Sequence, residues 1–201
     1  MRRLALFVLL FPLLACASQT HVIRIGDVEI TSVRQRYNNA FLVRSDGAAI
    51  VVDTGEQGDV ADLVDHWLDL GVDPADVDLI IVTHGHADHA GGARHLQELS
   101  GAPILVGEGD RELLAHGDNG DLCPASSYGE QHLDDALSTT YDGFAADIWL
   151  PEDGSVDLLE DYGIDARVTA LPGHTDGSLV VQVGDVVFVG DLLRGSVTGE
   201  Q

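Results

Sequence analysis

An apolar run, Val77-Asp78-Leu79-Ile80-Ile81-Val82, leads directly into Thr83-His84-Gly85-His86-Ala87-Asp88-His89. Whatever fold buries the run must therefore release its end at a loop that holds three imidazoles and a carboxylate. The chain has nine histidines in 201 residues, and three of them crowd into this window. On a strand ending at Thr83, side chains two apart share a face, so His84 and His86 are placed to grip one ion. Asp88 and His89 fall where a helix would begin, and Ala90-Gly91-Gly92-Ala93 lets backbone approach the loop closely. They face a second ion nearby. The competing reading is a polar strand-to-helix turn with capping histidines at the surface, and so dense a set of ligands argues against it.

His84-Gly85-His86-Ala87-Asp88-His89 resembles the His-x-His-x-Asp-His signature of the metallo-β-lactamase fold superfamily of metal-dependent hydrolases. Three further segments match in order: Val51-Val52-Asp53-Thr54-Gly55, Leu171-Pro172-Gly173-His174-Thr175 and Val189-Gly190-Asp191. The resemblance spans roughly Asn38 to Asp191 and implies an α/β fold, a four-layer αββα sandwich. It also implies that His84, His86 and His174 bind one metal, that Asp88 and His89 bind another, and that Asp191 bridges the two. Asp53 would stand behind the ligands, and Asp88 would double as the catalytic group that orients the nucleophile and receives its proton.

Imidazole and carboxylate suit zinc, and three protein ligands leave a position open for water. One or two zinc ions are expected, with iron as the alternative. The implied reaction is attack of metal-activated water on an ester, lactone, thioester or amide. The alternatives are an iron-dependent, sulfur dioxygenase-like oxidoreductase of the same fold and a non-catalytic metal-binding envelope protein. Family members also bring a histidine from a late loop, whereas this sequence stops at Gln201, ten residues after Asp191. The expectation is thus a C-terminally incomplete sandwich, a fragment or truncated product; were the chain complete, its second metal position would be weak or empty. His21, His66, His95, His116 and His132 lie in no matching motif.

Arg2 and Arg3 precede an apolar run, Leu4 to Leu14, too short for a bilayer-spanning helix of about 20 residues. This reads as a secretory signal over residues 1–16, ahead of one domain over 17–201. Leu13-Leu14-Ala15-Cys16 resembles a bacterial lipobox, which would lipidate Cys16 and tether an exported, periplasm-facing domain to the envelope membrane. Cys123 would then have no disulfide partner, and it is expected to be buried or simply tolerated rather than a ligand.

The formal charge is −24 and the chain has no lysine. Such a surface repels phosphate polymers, so a small-molecule substrate is expected, with no nucleic acid and no membrane contact beyond the Cys16 anchor.

Strands are predicted at 21–25, 28–33, 40–44, 49–52, 79–82, 104–106, 166–171, 179–183 and 186–189, the last two joined as a hairpin across Gly184-Asp185. Val60, Leu63, Val64, Trp67, Leu68 and Leu70 recur at helical spacing and predict a helix over 59–70 with these six in the core, closed by Gly71. Further helices are predicted over 90–99 and 110–115. Periodicity fails over 117–147, which is read as a long irregular loop walling the substrate pocket. There Tyr128 and Tyr141, and beyond Asp191 also Arg194, are candidate donors to an oxyanion, with surface packing as the simpler role.

Overall fold

The computed structural model describes residues 20–124 and 127–193. The leader with Cys16, and Arg194 with the tail that follows it, lie outside them, as does the side chain of Tyr128.

Two sheets form the frame. The larger has seven strands in sequence order, β1 (Thr20–Ile25), β2 (Val28–Arg34), β3 (Asn39–Ser45), β4 (Ala48–Val52), β5 (Leu79–Ile81), β6 (Ile104–Gly107) and β7 (Ile148–Leu150). β1 to β4 pair antiparallel through short turns, whereas β4 to β7 pair in parallel, because helical crossovers separate them. The smaller sheet is antiparallel, with β8 (Ser155–Asp157), β9 (Ala166–Ala170), β10 (Leu179–Val183) and β11 (Val186–Phe188) in the order β11-β10-β9-β8. The expected hairpin is there, with Val183 paired to Val186.

Strand alternation sends one face of each sheet inward. Ile50, Val52, Leu79 and Ile81 meet Val168, Leu179, Val181 and Phe188 in a core between the sheets. On the other face of the large sheet, Val51, Ile80, Val82 and Ile104 pack against helices α1 (Val60–Asp69) and α3 (Ala93–Ser100), through Leu63, Trp67 and Leu96. Helices, sheet and sheet thus account for three layers of the expected sandwich. The outer face of the small sheet, with Arg167, Thr169, Gln182 and Val187, is exposed.

Several sequence expectations need correction. Only Val60, Leu63 and Trp67 of the first helix are fully buried; Leu68 and Leu70 are exposed, because a single helix offers one stripe to the sheet. The helix expected over 90–99 is two, α2 (Ala87–Ala90) and α3, broken at Gly91-Gly92. A Cβ at Gly92 would stand 2.9 Å from the Thr54 carbonyl oxygen, so the break lets the metal loop lie against the Asp53 turn. α4 (Arg111–His116) follows β6 as expected. The stretch over 117–147 is not all loop, since α5 (Ser127–Ser138) occupies twelve residues of it. Its exposed, polar character hid the period. β7, β8 and α6 (Leu159–Tyr162) were too short to show one.

Candidate metal centre

Ligand sites in open α/β sheets gather where parallel strands end, and here three neighbouring strands end together. β4 delivers Asp53, β5 delivers His84 and His86, and β6 delivers Asp110. The small sheet reaches the same place from the other side: the turn after β9 carries His174, and the turn after β11 carries Asp191. Leu179 N–H donates to the Thr83 carbonyl at 2.7 Å, tying the two sheets at this edge. Gly190, at φ +52°, lies against Thr83, where a Cβ would come within 2.6 Å of the hydroxyl.

The histidines predicted from sequence converge. One coordinating atom from each of His84, His86 and His174 lies within 4.8 Å of the others, and the same holds for His84, His89 and Asp191. His86 Nδ1 and His174 Nε2 are 3.0 Å apart. His89 Nε2 stands 3.3 Å from Asp191 and 3.7 Å from Asp88, so Asp88 sits at the edge of the cluster. Asp191 also approaches His174, at 3.9 Å, which puts it between the two groups.

Asp53 is buried against Thr83 and His89. It accepts from His89 Nδ1 at 2.8 Å, from Thr83 N–H at 2.8 Å and from the Thr83 hydroxyl at 2.9 Å. That contact fixes the His89 ring with Nε2 turned inward, the arrangement by which an outer carboxylate orients a metal-binding histidine.

The donor set fits a metal. The buried Nε2 atom of His84 has no hydrogen-bond partner among the described residues, and leaving such a group unsatisfied costs about 1–3 kcal/mol. Ligands held about 2.0–2.1 Å from a tetrahedral zinc ion stand about 3.3 Å apart, close to the His86–His174 separation.

Charge divides the histidines. Burial, reinforced by the neighbouring imidazoles of His89, His86 and His174, drives His84 well below its ordinary value. Burial and His174 bring His86 down to about 4 against the pull of Asp88. Burial opposes a charge on His89 too, but Asp53 and Asp191 override it and raise the ring to about 10. At neutral pH the metal-free cluster therefore has neutral His84 and His86 beside a protonated His89.

Sequence reasoning missed three residues here. Asp110 is buried, 1% exposed, and binds both metal loops; its signal was Gly107-Glu108-Gly109, glycines that close a strand beside β5. Asn119 accepts from Ala87 N–H and donates to the Ala136 carbonyl, each at 2.7 Å, pinning α5 to α2. Thr83 completes the Asp53 network. Tyr141 is neither a free donor to an oxyanion nor a surface residue: it is buried, and its hydroxyl donates to the Gly85 carbonyl at 2.7 Å. Cys123 is exposed rather than buried.

A cavity of about 480 Å³ opens over the cluster, lined by Asp88, His174 and Asp191 at its base and by Leu122, Leu133 and Ala136 on the α5 side. Fold and centre together define an α/β protein with a candidate metal-binding cluster of histidine and aspartate where two sheets meet.

The family model described as the metallo-beta-lactamase superfamily matches residues 33–200, and the chain belongs to that superfamily. Among curated relatives, the Beta-lactamase-like protein 2 homolog of Drosophila melanogaster is 27% identical over 88% of this chain and 54% of its own length. Hydroxyacylglutathione hydrolase GloC of Haemophilus influenzae is 29% identical over 84% of this chain and 75% of its own. Probable metallo-hydrolase YflN of Bacillus subtilis is 34% identical over 61% and 46%. The chain thus spans about half the length of the Drosophila and Bacillus proteins. A solved metallo-beta-lactamase from Cronobacter sakazakii superposes with a TM-score of 0.62 at 20% identity, over 82% of this chain and 60% of that one. That likeness shows the fold.

Proposed function

We propose that this protein is an exported zinc hydrolase that cleaves an ester, lactone, thioester or amide bond in a small substrate. One observation carries the reading: His84, His86 and His174 arrive from two different sheets with coordinating atoms within 4.8 Å of one another. His84, His86 and His174 would hold one ion, and His89 and Asp191, with Asp88 at the edge, a second. When bound, such ions lower the pKa of water to about 7 and polarise the group under attack.

The remaining work falls to the chain. Asp88, half-buried at the base of the cavity, is placed to orient the attacking water and accept its proton. Asp53 holds His89 in the tautomer that presents Nε2. Leu122, Leu133 and Ala136 give the cavity an apolar side. Glu56 and Asp135 stand on its walls, and no arginine or lysine lines it among the described residues. Neutral or cationic substrates are thus favoured over anionic ones, and nucleic acid is disfavoured further by the formal charge of −24. The hydroxyacylglutathione hydrolase among the relatives supports a thioester as one of the candidate bonds. The leader and Cys16 support export with a lipid tether, the only membrane contact in this reading.

Purifying the full chain without added metal, quantifying zinc and iron, and assaying a panel of esters, lactones, thioesters and β-lactams tests the reading. Zinc at one or two equivalents with turnover on the panel is expected. Bound iron with thiol oxidation and no hydrolysis would replace it with the oxidoreductase, and bound metal without turnover would leave a binding protein.

A further inference from the structure

The peptide between the two motif histidines is held from both sides by residues outside the motifs. Gly85 N–H donates to Asp110 Oδ2 at 2.7 Å, and the Gly85 carbonyl accepts from the Tyr141 hydroxyl at 2.7 Å. The same Asp110 oxygen accepts from the Thr175 hydroxyl at 2.8 Å, and its other oxygen accepts from Gly177 N–H at 2.9 Å. Thr175 directly follows His174. One buried carboxylate therefore joins the loop of His84 and His86, from the large sheet, to the loop of His174, from the small one.

The contact requires backbone on backbone. A Cβ at Gly107 would lie 2.0 Å from the Gly177 carbonyl oxygen, and one at Gly177 would lie 2.5 Å from Asp110 N. Only two bare strands of chain can pass closely enough for a side chain as short as aspartate to reach both loops.

We propose that Asp110 is a positioning residue that sets the spacing of His84 and His86 against His174, and thereby the affinity and coordination geometry of the first metal ion. A carboxylate is needed because all three partners are donors. Asparagine in its place could still accept from Gly85 and Thr175 but would turn its amide N–H toward Gly177 N–H. Burial raises the Asp110 carboxyl above its ordinary value, and the bonds from Thr175, Gly85 and Gly177 limit that rise.

The inference rests on the metal reading above, and cobalt(II) titration of the metal-free full chain separates the two. The wild type should develop the visible bands of a histidine-bound cobalt ion. Asp110→Asn should bind cobalt about 10- to 100-fold more weakly, the range for outer partners of metal ligands, with shifted bands at saturation. Thr175→Val, which removes one donor and keeps Gly85 and Gly177, serves if Asp110→Asn does not fold; it should shift the bands in the same direction with a smaller loss of affinity. Unchanged bands and affinity in a folded variant would overturn the role of Asp110 and leave the metal site standing. A wild type without cobalt bands would remove both.

Discussion

Asp53 and His89 form a buried pair, Oδ2 to Nδ1 at 2.8 Å, at the junction of β4 and the metal loop. Asp53 adopts φ +60°, a left-handed conformation that aspartate and asparagine tolerate better than most residues, and this turns its carboxylate under Thr83 and His89. Asp53→Ala would strand the His89 N–H and both Thr83 donors. Removing one partner of a buried pair costs roughly 3–5 kcal/mol, so the metal-free protein should melt markedly earlier, with loss of the second ion before the first. Asp53→Asn, which keeps the backbone preference and one acceptor, should be milder. Thermal melts with metal analysis check both, and a wild-type melt for Asp53→Ala would remove the pair from the account.

His86→Ala should abolish retention of the first ion and all hydrolysis, because one of three ligands is lost and the rest cannot hold both ion and water. The fall in affinity should exceed the about 10–100-fold typical of outer partners. Asp191→Asn should leave first-site affinity less affected and reduce the occupancy of two ions. Equilibrium dialysis against zinc distinguishes the cases, and equal two-ion occupancy in Asp191→Asn would end its bridging role.

The candidate ligands were legible because each lies in a short motif at a strand end, where sequence spacing and spatial position nearly coincide. His84 and His86 follow β5 directly, and Asp191 follows β11. Asp110 was not legible in this way. Its importance comes from contacts with Gly85 and Thr175, 25 and 65 residues away, which only the packing of two sheets creates. The strands of the main core announced themselves through runs such as Leu79-Ile80-Ile81, whereas β7 and β8, three residues each, offer no period. α5 was lost for the same reason that makes it a pocket wall: it is largely solvated, so no apolar stripe marks it.

Protonation should show in the stability of the metal-free protein. His86 titrates near 4 in the fold against 6.5 ordinarily, so the native state binds fewer protons than the unfolded chain between those values, and this contribution is lost as pH falls through them. His89 runs the other way: raised to about 10, it stabilises fully below 6.5 and loses that stabilisation as pH rises through 10. The two histidines therefore favour a maximum near pH 6.5. A melting temperature of chelator-treated protein that climbs steadily from pH 6.5 to 10 would contradict the His89 assignment. Calorimetry in buffers of different ionisation enthalpy gives a second measure: at pH 7 filling the second site should release about one proton more than filling the first, because His89 must give up its proton whereas His84 and His86 are already neutral.

Substrate charge should matter through the walls of the cavity rather than its base. Asp88 and Asp191 lie at the metal cluster, where bound ions would offset them, but Glu56 and Asp135 stand farther out with no arginine or lysine beside them on the lining. The burial of Glu56, aided by Asp59 and opposed by Arg36, raises its carboxyl, and Asp88 and Asp135 raise it further, so the acids act on one another across the space. In a matched series of esters differing only in the charge of a remote group, kcat/KM should fall from cationic to neutral to anionic. Each step should be a few-fold, the scale of a solvent-screened charge pair. The spread should shrink as salt shortens the Debye length from about 10 Å at 0.1 M to about 3 Å at 1 M. Asp135→Asn, on the exposed wall, should narrow the spread while leaving turnover of the neutral ester near wild type. A spread that ignores both salt and this substitution would show that the metal centre alone, not the acidic wall, decides which charge the site accepts.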